Sequence, residues 1–533
     1  MKKIVTLFLV GIATVVPAQR PAGPASTPRL AQRDGRYALM VDGAPYLMLG
    51  AQVNNSSAWP QMLSKVWPTA NILGINTLEV PVYWEQFEPE EGHFDTTSVQ
   101  ALLTGARQNH LRLVLLWFGT WKNGSGHYIP ASLKRNEEHA PHVVRADGKK
   151  VDSLSPHSSS LLAADTAAFV ALMRFLKAAD PQHTVIMVQV ENEAGTYGSR
   201  RDHSAAAEKL FHQPVPATLL QALNRKDAGG KDWPDVFGDE ADEVFHAWSI
   251  ASFIEHVASA GKKILPLPMY VNVALRDPFH PATPCTYECG GPTDNVISVW
   301  KAAAPSIDLI GPDIYNSGFR FYTRILELYA RPDNAMFVPE TGNAPGYARF
   351  FFAALGHGAI GFSPFGMDST GYVNYPLGAK AVGAEQLAPF ALNNSIFAPM
   401  SREIAKLNWE GRLQAVAEDP DQHTQAMDFG AWKVAVSYGL PQFGAGSPAP
   451  GNTPPSGGAM VAQLGPDEFL VTGNFARVEF SSASGQRQFL KVEEGTYGNG
   501  TWHPVRIWNG DQTDYGLNFT GTPQVLRVTL STF

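Results

Sequence analysis

Eight short apolar runs, each followed by a helix-forming stretch, constrain this chain more than any other feature. They lie at 46–52, 77–82, 112–117, 184–190, 267–273, 309–312, 336–339 and 359–362. A run that is apolar without alternation is a strand covered on both faces, which is the habit of parallel sheets flanked by helices. Eight of them in alternation with helices predict an α/β fold, a (β/α)8 TIM barrel. One intervening helix places Phe169, Leu172, Met173 and Leu176 on one face, with Asp165 as its expected N-cap and Pro181 beyond its end. The Pro-, Gly-, Asp- and Lys-rich segment 213–240 breaks the rhythm and is expected as an insertion over the barrel mouth. From about Asn393 the pattern changes. A connecting helix at 397–407 leads into alternating strands at 432–438, 469–472 and 525–530 with Gly-rich turns, which predicts a C-terminal antiparallel β-sandwich. Segment 441–458, dense in Gly, Pro and Ser, reads as a surface loop of that domain. The expected division is a leader at 1–18, a barrel at 19–392, a connecting helix at 393–415 and a sandwich at 416–533.

The ends and the charge narrow the setting. Lys2 and Lys3, the apolar stretch 4–16 and Val16-Pro17-Ala18 read as a secretory signal peptide, so the mature chain is expected to begin near Gln19, secreted or periplasmic. No later run is expected to span a bilayer. A net charge of −8 gives no reason to expect nucleic acid or an anionic membrane as partner. Cys285 and Cys289, the only cysteines, can bridge in an oxidising compartment if the turn at Gly290-Gly291 permits the geometry. The 15 His residues form no ligand spacing, so no metal and no other cofactor is expected.

Chemistry is expected where the strands stop. The run 184–190 ends on Glu191-Asn192-Glu193 and the run 336–339 ends on Glu340. Two carboxylates at one barrel rim are the minimum equipment of a glycoside hydrolase. In an extended strand Glu191 and Glu193 face one side and Asn192 the other, unless a bulge re-aims them, so the pattern leaves open which glutamate meets a sugar.

Val188-Gln-Val-Glu-Asn-Glu-Ala-Gly195 resembles the acid/base motif of glycoside hydrolase family 35, the retaining β-galactosidases. Val82-Tyr-Trp-Glu-Gln-Phe-Glu-Pro89, with Gly92-His-Phe-Asp95 after it, resembles that family's second-strand signature. The resemblance covers roughly 35–368, and the distal domain is similar to that of a bacterial subgroup. It implies Glu193 as acid/base, Glu340 as nucleophile and Asn192 as donor to the sugar 2-hydroxyl. It further implies Tyr315 as a hydrogen-bond donor to Glu340. Family members carry a Glu-Trp pair in the third-strand loop, where this chain has Phe118-Gly-Thr-Trp-Lys-Asn123. There Trp121 is expected as an apolar sugar platform, with Lys122 or Asn123 donating to hydroxyls. Tyr83, Asn54 and Glu191 are expected as further sugar contacts. Trp502, Trp508 and Tyr515 are read as core of the sandwich more readily than as a glycan site.

The reading is thus an exported, metal-independent, retaining exo-β-galactosidase with a neutral carbohydrate substrate and carboxyl groups about 5 Å apart. The subgroup's resemblance suggests a galactosylated xyloglucan fragment. A β-glucosidase or arabinosidase of the same clan, and a non-catalytic glycan-binding protein, are the alternatives, and assembly as a homo-oligomer is left open.

Overall fold

The computed structural model describes residues 26–280, 286–441 and 448–533. The expected leader and Cys285, with the bridge it was to form, lie outside the described residues.

Eight parallel strands close into a barrel in chain order. They are β1 (Met48–Gln52), β2 (Thr77–Tyr83), β3 (Arg112–Lys122), β4 (Val185–Asn192), β5 (Met269–Ala274), β6 (Leu309–Ile314), β7 (Val338–Thr341) and β8 (Gly361–Pro364). β8 returns to pair with β1 through Gly361 to Met48 and Phe362 to Leu49. The closure is tight. A Cβ on Gly50 would lie 1.9 Å from Ser363 Oγ, so the seam admits glycine there. The apolar runs are buried as expected, but their polar ends go further than the runs do: β3 continues to Lys122 and β4 to Asn192.

Two long helices flank β4: α1 (Ser159–Ala179) and α2 (Ala241–Ile264). Phe169, Leu172, Met173 and Leu176 are buried on α1, as the spacing predicts. The N-cap is Ser158, whose side chain accepts from Leu161 N–H, and not Asp165. Asp165 is buried inside the helix because its carboxylate caps the barrel wall, accepting from Trp117 Nε1 (2.8 Å) and Thr120 Oγ1 (2.6 Å). With 21 residues and a mean hydropathy of 1.4, α1 is long and apolar enough by length and composition to cross a bilayer, against expectation. In the structure its apolar face is spent on the barrel.

Segment 213–240 folds into short helices, including Ala217–Ala222 and Trp233–Phe237. Trp233 packs on Phe245 and Trp248 of α2, so the insertion leans on the outer helix layer.

Helix Ala384–Phe397 runs across the expected domain boundary at 392, and helix Ser401–Trp409 leads into a two-sheet domain. One sheet has six strands, in spatial order 413–417, 458–465, 468–474, 525–532, 487–498 and 501–507. The other has four: 424–429, 432–438, 476–482 and 517–519. The first strand, Leu413–Ala417, begins before the expected start at 416. Strands 458–465 and 468–474 of the larger sheet are buried on both faces, whereas its edge strand 501–507 is exposed. Met460, Ala462, Leu470 and Val525 join the barrel's core, whereas their alternating neighbours Ala459, Val461, Val471 and Leu526 join the core between the sheets. Trp508 belongs to that inner core, Trp502 packs at the edge of the barrel's core, and Tyr515 is exposed.

Candidate active site

β4 leaves the barrel through an unusual backbone. Glu191 and Glu193 both take left-handed conformations, with φ of 63° and 46°. Non-glycine residues rarely do so, and such strain persists only where the surroundings over-determine it. Here Glu193 N–H donates to Asn272 Oδ1 (2.9 Å), Gly124 N–H to Glu193 O (2.9 Å) and Asn123 N–H to Asn192 O (3.2 Å). The register between β3 and β4 slips between Trp117 and Lys122 to allow it. The two glutamates therefore part. Glu191 turns toward α1, where its Oε2 accepts from Trp121 N–H (2.7 Å), and burial followed by the charge of Asp165 pushes its carboxyl well above the usual range. Asn192 and Glu193 turn into the barrel mouth.

Glu340, in β7, is gripped by residues of three strands and by Tyr315, just past β6. Its Oε1 accepts from Gln52 Nε2 (2.8 Å), Asn192 Nδ2 (3.3 Å) and Asn272 Nδ2 (3.4 Å), and its Oε2 from Tyr315 OH (2.7 Å). Both carboxylate oxygens are therefore engaged by side-chain donors. Tyr315 is itself held, its carbonyl accepting from Tyr347 OH.

A third acid stands between them. Asp313, paired in register with Glu340 across β6 and β7, accepts from Asn272 Nδ2 (2.7 Å) and hydrogen-bonds Glu193. One carboxylate oxygen each from Glu193, Asp313 and Glu340 lie within 4.8 Å of one another. Burial is the first cause that raises the carboxyls of both Glu193 and Asp313, and the Glu340 charge adds to both, while the Lys122 ammonium pulls Glu193 the other way. Glu193 and Asp313 are thus both raised beside Glu340. Beneath them Glu79, which accepts from Tyr270 OH (2.9 Å), is pushed up to about 8 by burial.

Three carboxylates this close are also a possible oxygen cage for a divalent cation. The donor set argues against one, because four N–H and O–H groups already aim at Glu340 and would face the ion.

The cleft above holds about 610 Å³ and is lined by Asn55, Lys122, Asn123, Glu193, Tyr197, Glu288, Asp313, Tyr315, Glu340, Phe365 and Tyr372, among others. The structure thus brings Glu193, Glu340, Asn192, Tyr315 and Asn123 together. Four expected contacts lie elsewhere. Trp121 is fully buried edge-on to Phe253 (centroids 4.9 Å apart), its Nε1 donating to Leu154 O (3.2 Å), so it is wall and no sugar platform. Tyr83 stacks between Trp59 and Tyr128 and its hydroxyl accepts from Ala58 N–H (3.1 Å). Asn54 is clamped on Asp368 by two hydrogen bonds, and its neighbour Asn55 faces the cleft instead. Glu191 points away toward α1. No residue of 213–240 lines the cleft. Asp313 and Glu288 were missed. Asp313 sits inside the Gly311-Pro-Asp-Ile-Tyr-Asn316 segment, where a strand-end acid beside Tyr315 was the available signal; Glu288 lies in a loop without periodicity.

Comparison with known proteins agrees with this architecture. Residues 390–520 match a family described as a domain of unknown function, DUF5597. Over 220 residues, 38% of this chain, the sequence is 26% identical to a beta-galactosidase of Xanthomonas manihotis, and the match spans 32% of that protein. The solved beta-galactosidase of Bacillus circulans sp. alkalophilus superposes with a TM-score of 0.50 at 16% identity, over 67% of this chain and 57% of that one. A catalytic mutant of Gan42B, a GH42 beta-galactosidase from G. stearothermophilus, gives 0.50 at 16% identity, over 68% and 58%. The chain therefore spans about a third of the curated relative and less than two thirds of these structures. At such identities the structural likeness is one of fold, a TIM-type barrel.

Proposed function

We propose that this protein is a retaining exo-β-galactosidase of the clan that places its two glutamates after the fourth and seventh barrel strands. The observation that carries the reading is the approach of Glu193 and Glu340 to within 4.8 Å, with Glu340 held by four donors. Retaining enzymes space their carboxyl groups about 5–5.5 Å apart, whereas inverting enzymes leave room for a water at about 6.5–9.5 Å. The partial match to a beta-galactosidase of Xanthomonas manihotis supports the choice of sugar, and the motifs around Glu193 and Tyr83 support family 35.

In this reading Glu340 attacks the anomeric carbon while Glu193 delivers its proton to the leaving oxygen. Forming the glycosyl ester removes the Glu340 charge, which is one of the influences raising Glu193. Glu193 then gives up a proton more readily and serves as base toward water. Asn192, donating to Glu340 Oε1, is within reach of a 2-hydroxyl in the same place. The protein acts outside the cytoplasm, on the evidence of Lys2, Lys3 and the apolar stretch 4–16. A galactosylated plant oligosaccharide such as a xyloglucan fragment is the proposed substrate.

The test uses protein recovered from outside the cell, with an N-terminus expected near Gln19, on a panel of aryl glycosides in the presence of a chelator. β-Galactoside should be cleaved fastest, and the first-formed sugar, read by NMR, should be the β-anomer. Preferential cleavage of glucosides or arabinosides, a first-formed α-anomer or no cleavage at all would each overturn the reading.

A further inference from the structure

Glu288 is the acid that the mechanism does not use. It lies in the loop after β5, and the following residue, Cys289, exchanges backbone hydrogen bonds with Thr196 (2.9 and 3.1 Å). A Cβ on Gly195 would come within 2.7 Å of Glu288 Cβ, so the loop lies directly on the chain that leaves Glu193. The side chain lines the cleft and is 1% exposed, yet neither of its oxygens has a hydrogen-bond partner among the described residues. A carboxyl buried without partners is costly and is not retained for stability. The third-strand loop makes room for it, since a Cβ on Gly124 would stand 3.4 Å from Glu288 Oε1.

We propose that Glu288 binds hydroxyl groups of a sugar in the leaving-group position, on the side of Glu193 away from Glu340, and thereby favours carbohydrate over aryl leaving groups. The inference rests on the retaining-glycosidase reading. A polyol is the ligand class that satisfies two vacant oxygen acceptors in a site that already holds too much negative charge. Glu193, Asp313 and Glu340 line the same cleft, and Lys122 is the one cationic side chain in its lining among the described residues, so a uronic acid is repelled and a neutral sugar is not. Position follows from the neighbours. Glu288 lies on Gly195, two residues beyond Glu193, and its Oε1 faces Gly124 of the third-strand loop. In a double displacement the ring sits over the nucleophile and the leaving group sits beyond the acid. Burial and the Glu193 charge also raise the Glu288 carboxyl well above its usual range. The protonated form offers one donor and one acceptor, which suits a pair of neighbouring hydroxyls.

The test compares lactose with phenyl β-galactoside, whose leaving group also needs a proton but carries no hydroxyls. Glu288→Ala should lower kcat/KM on lactose by about tenfold or more beyond its effect on the phenyl galactoside, the size of a lost hydrogen bond to a charged or strongly polar group. Glu288→Gln should recover part of the difference, and its thermal midpoint should not fall, because no protein hydrogen bond is lost. Equal losses on both substrates would place Glu288 on the galactose or on the proton of Glu193 and overturn the proposal. A lowered midpoint in Glu288→Gln would make it structural and overturn it as well. If the unaltered protein cleaves neither galactoside, the galactosidase reading itself fails and takes this one with it.

Discussion

At the scale of single residues, Glu193 and Glu340 share one rim but not one environment, and the proposed function gives them different work. Glu340 meets side-chain donors on both oxygens, whereas Glu193 meets Asp313 and is raised by burial. Their removal should therefore fail in different ways. With Glu340→Ala no glycosyl ester forms, and every galactoside should become nearly inert whatever its leaving group. With Glu193→Ala a dinitrophenyl galactoside, which needs no proton, should still esterify Glu340 and then stall for want of a base. Azide should restore turnover and yield the β-galactosyl azide, because a small anion needs no deprotonation. Rescue of Glu340→Ala with formation of the α-azide would exchange the two roles.

At the scale of elements, the contact of β4 with α1 explains both the site and the limits of reading it from sequence. Glu191 and Asp165 meet there as a buried acid pair, and Glu191 is held well above its usual range. A carboxyl raised by folding contributes stability that is complete below its unfolded value near 4.5 and is lost as pH rises toward the folded value. Glu191→Gln keeps a donor for Asp165 and an acceptor for Trp121 N–H but cannot ionise. Its thermal midpoint should match the parent in acid and exceed it above pH 4.5, by up to about 1.4 kcal/mol of stability per pH unit within that window. A parent and variant that decline in parallel would reject the shared proton. The barrel strands were legible because continuous burial leaves an unbroken apolar run, and Glu193 and Glu340 were legible because they end such runs. Asp165 was misread because a helix-interior Asp and an N-cap Asp look alike in sequence; only the arrival of the Trp117 indole tells them apart. Trp121, Tyr83 and Asn54 were misplaced for a related reason. Residues past a strand end are taken to face the cleft, but β3 runs on to Lys122, and Asp368 draws Asn54 aside. Glu288 carried no signal, since nothing local says that its loop folds back onto Gly195.

At the scale of the whole molecule, barrel and sandwich are packed together, because the six-stranded sheet lends alternate residues to each core. The joint is a close one. Helix α3 (Phe350–Gly356) lies on the strand Leu413–Ala417, and a Cβ on Gly356 would stand 2.1 Å from Ala415 O, a backbone atom that cannot move without its sheet. Phe352 of the same helix fills the space above Gly458 of the next strand, where a Cβ would come within 2.3 Å of its ring. Calorimetry should then show a single transition for the full chain. Gly356→Ala should lower that one transition, at a cost of about 1–3 kcal/mol typical of overpacking, rather than split it in two. Because α3 follows β7, the strand that carries Glu340, the same variant should lose the proposed activity and tertiary signal over the same temperatures. Two separate transitions, with only the later-melting one tied to activity, would show instead that the sandwich is an appendage on a barrel that stands alone.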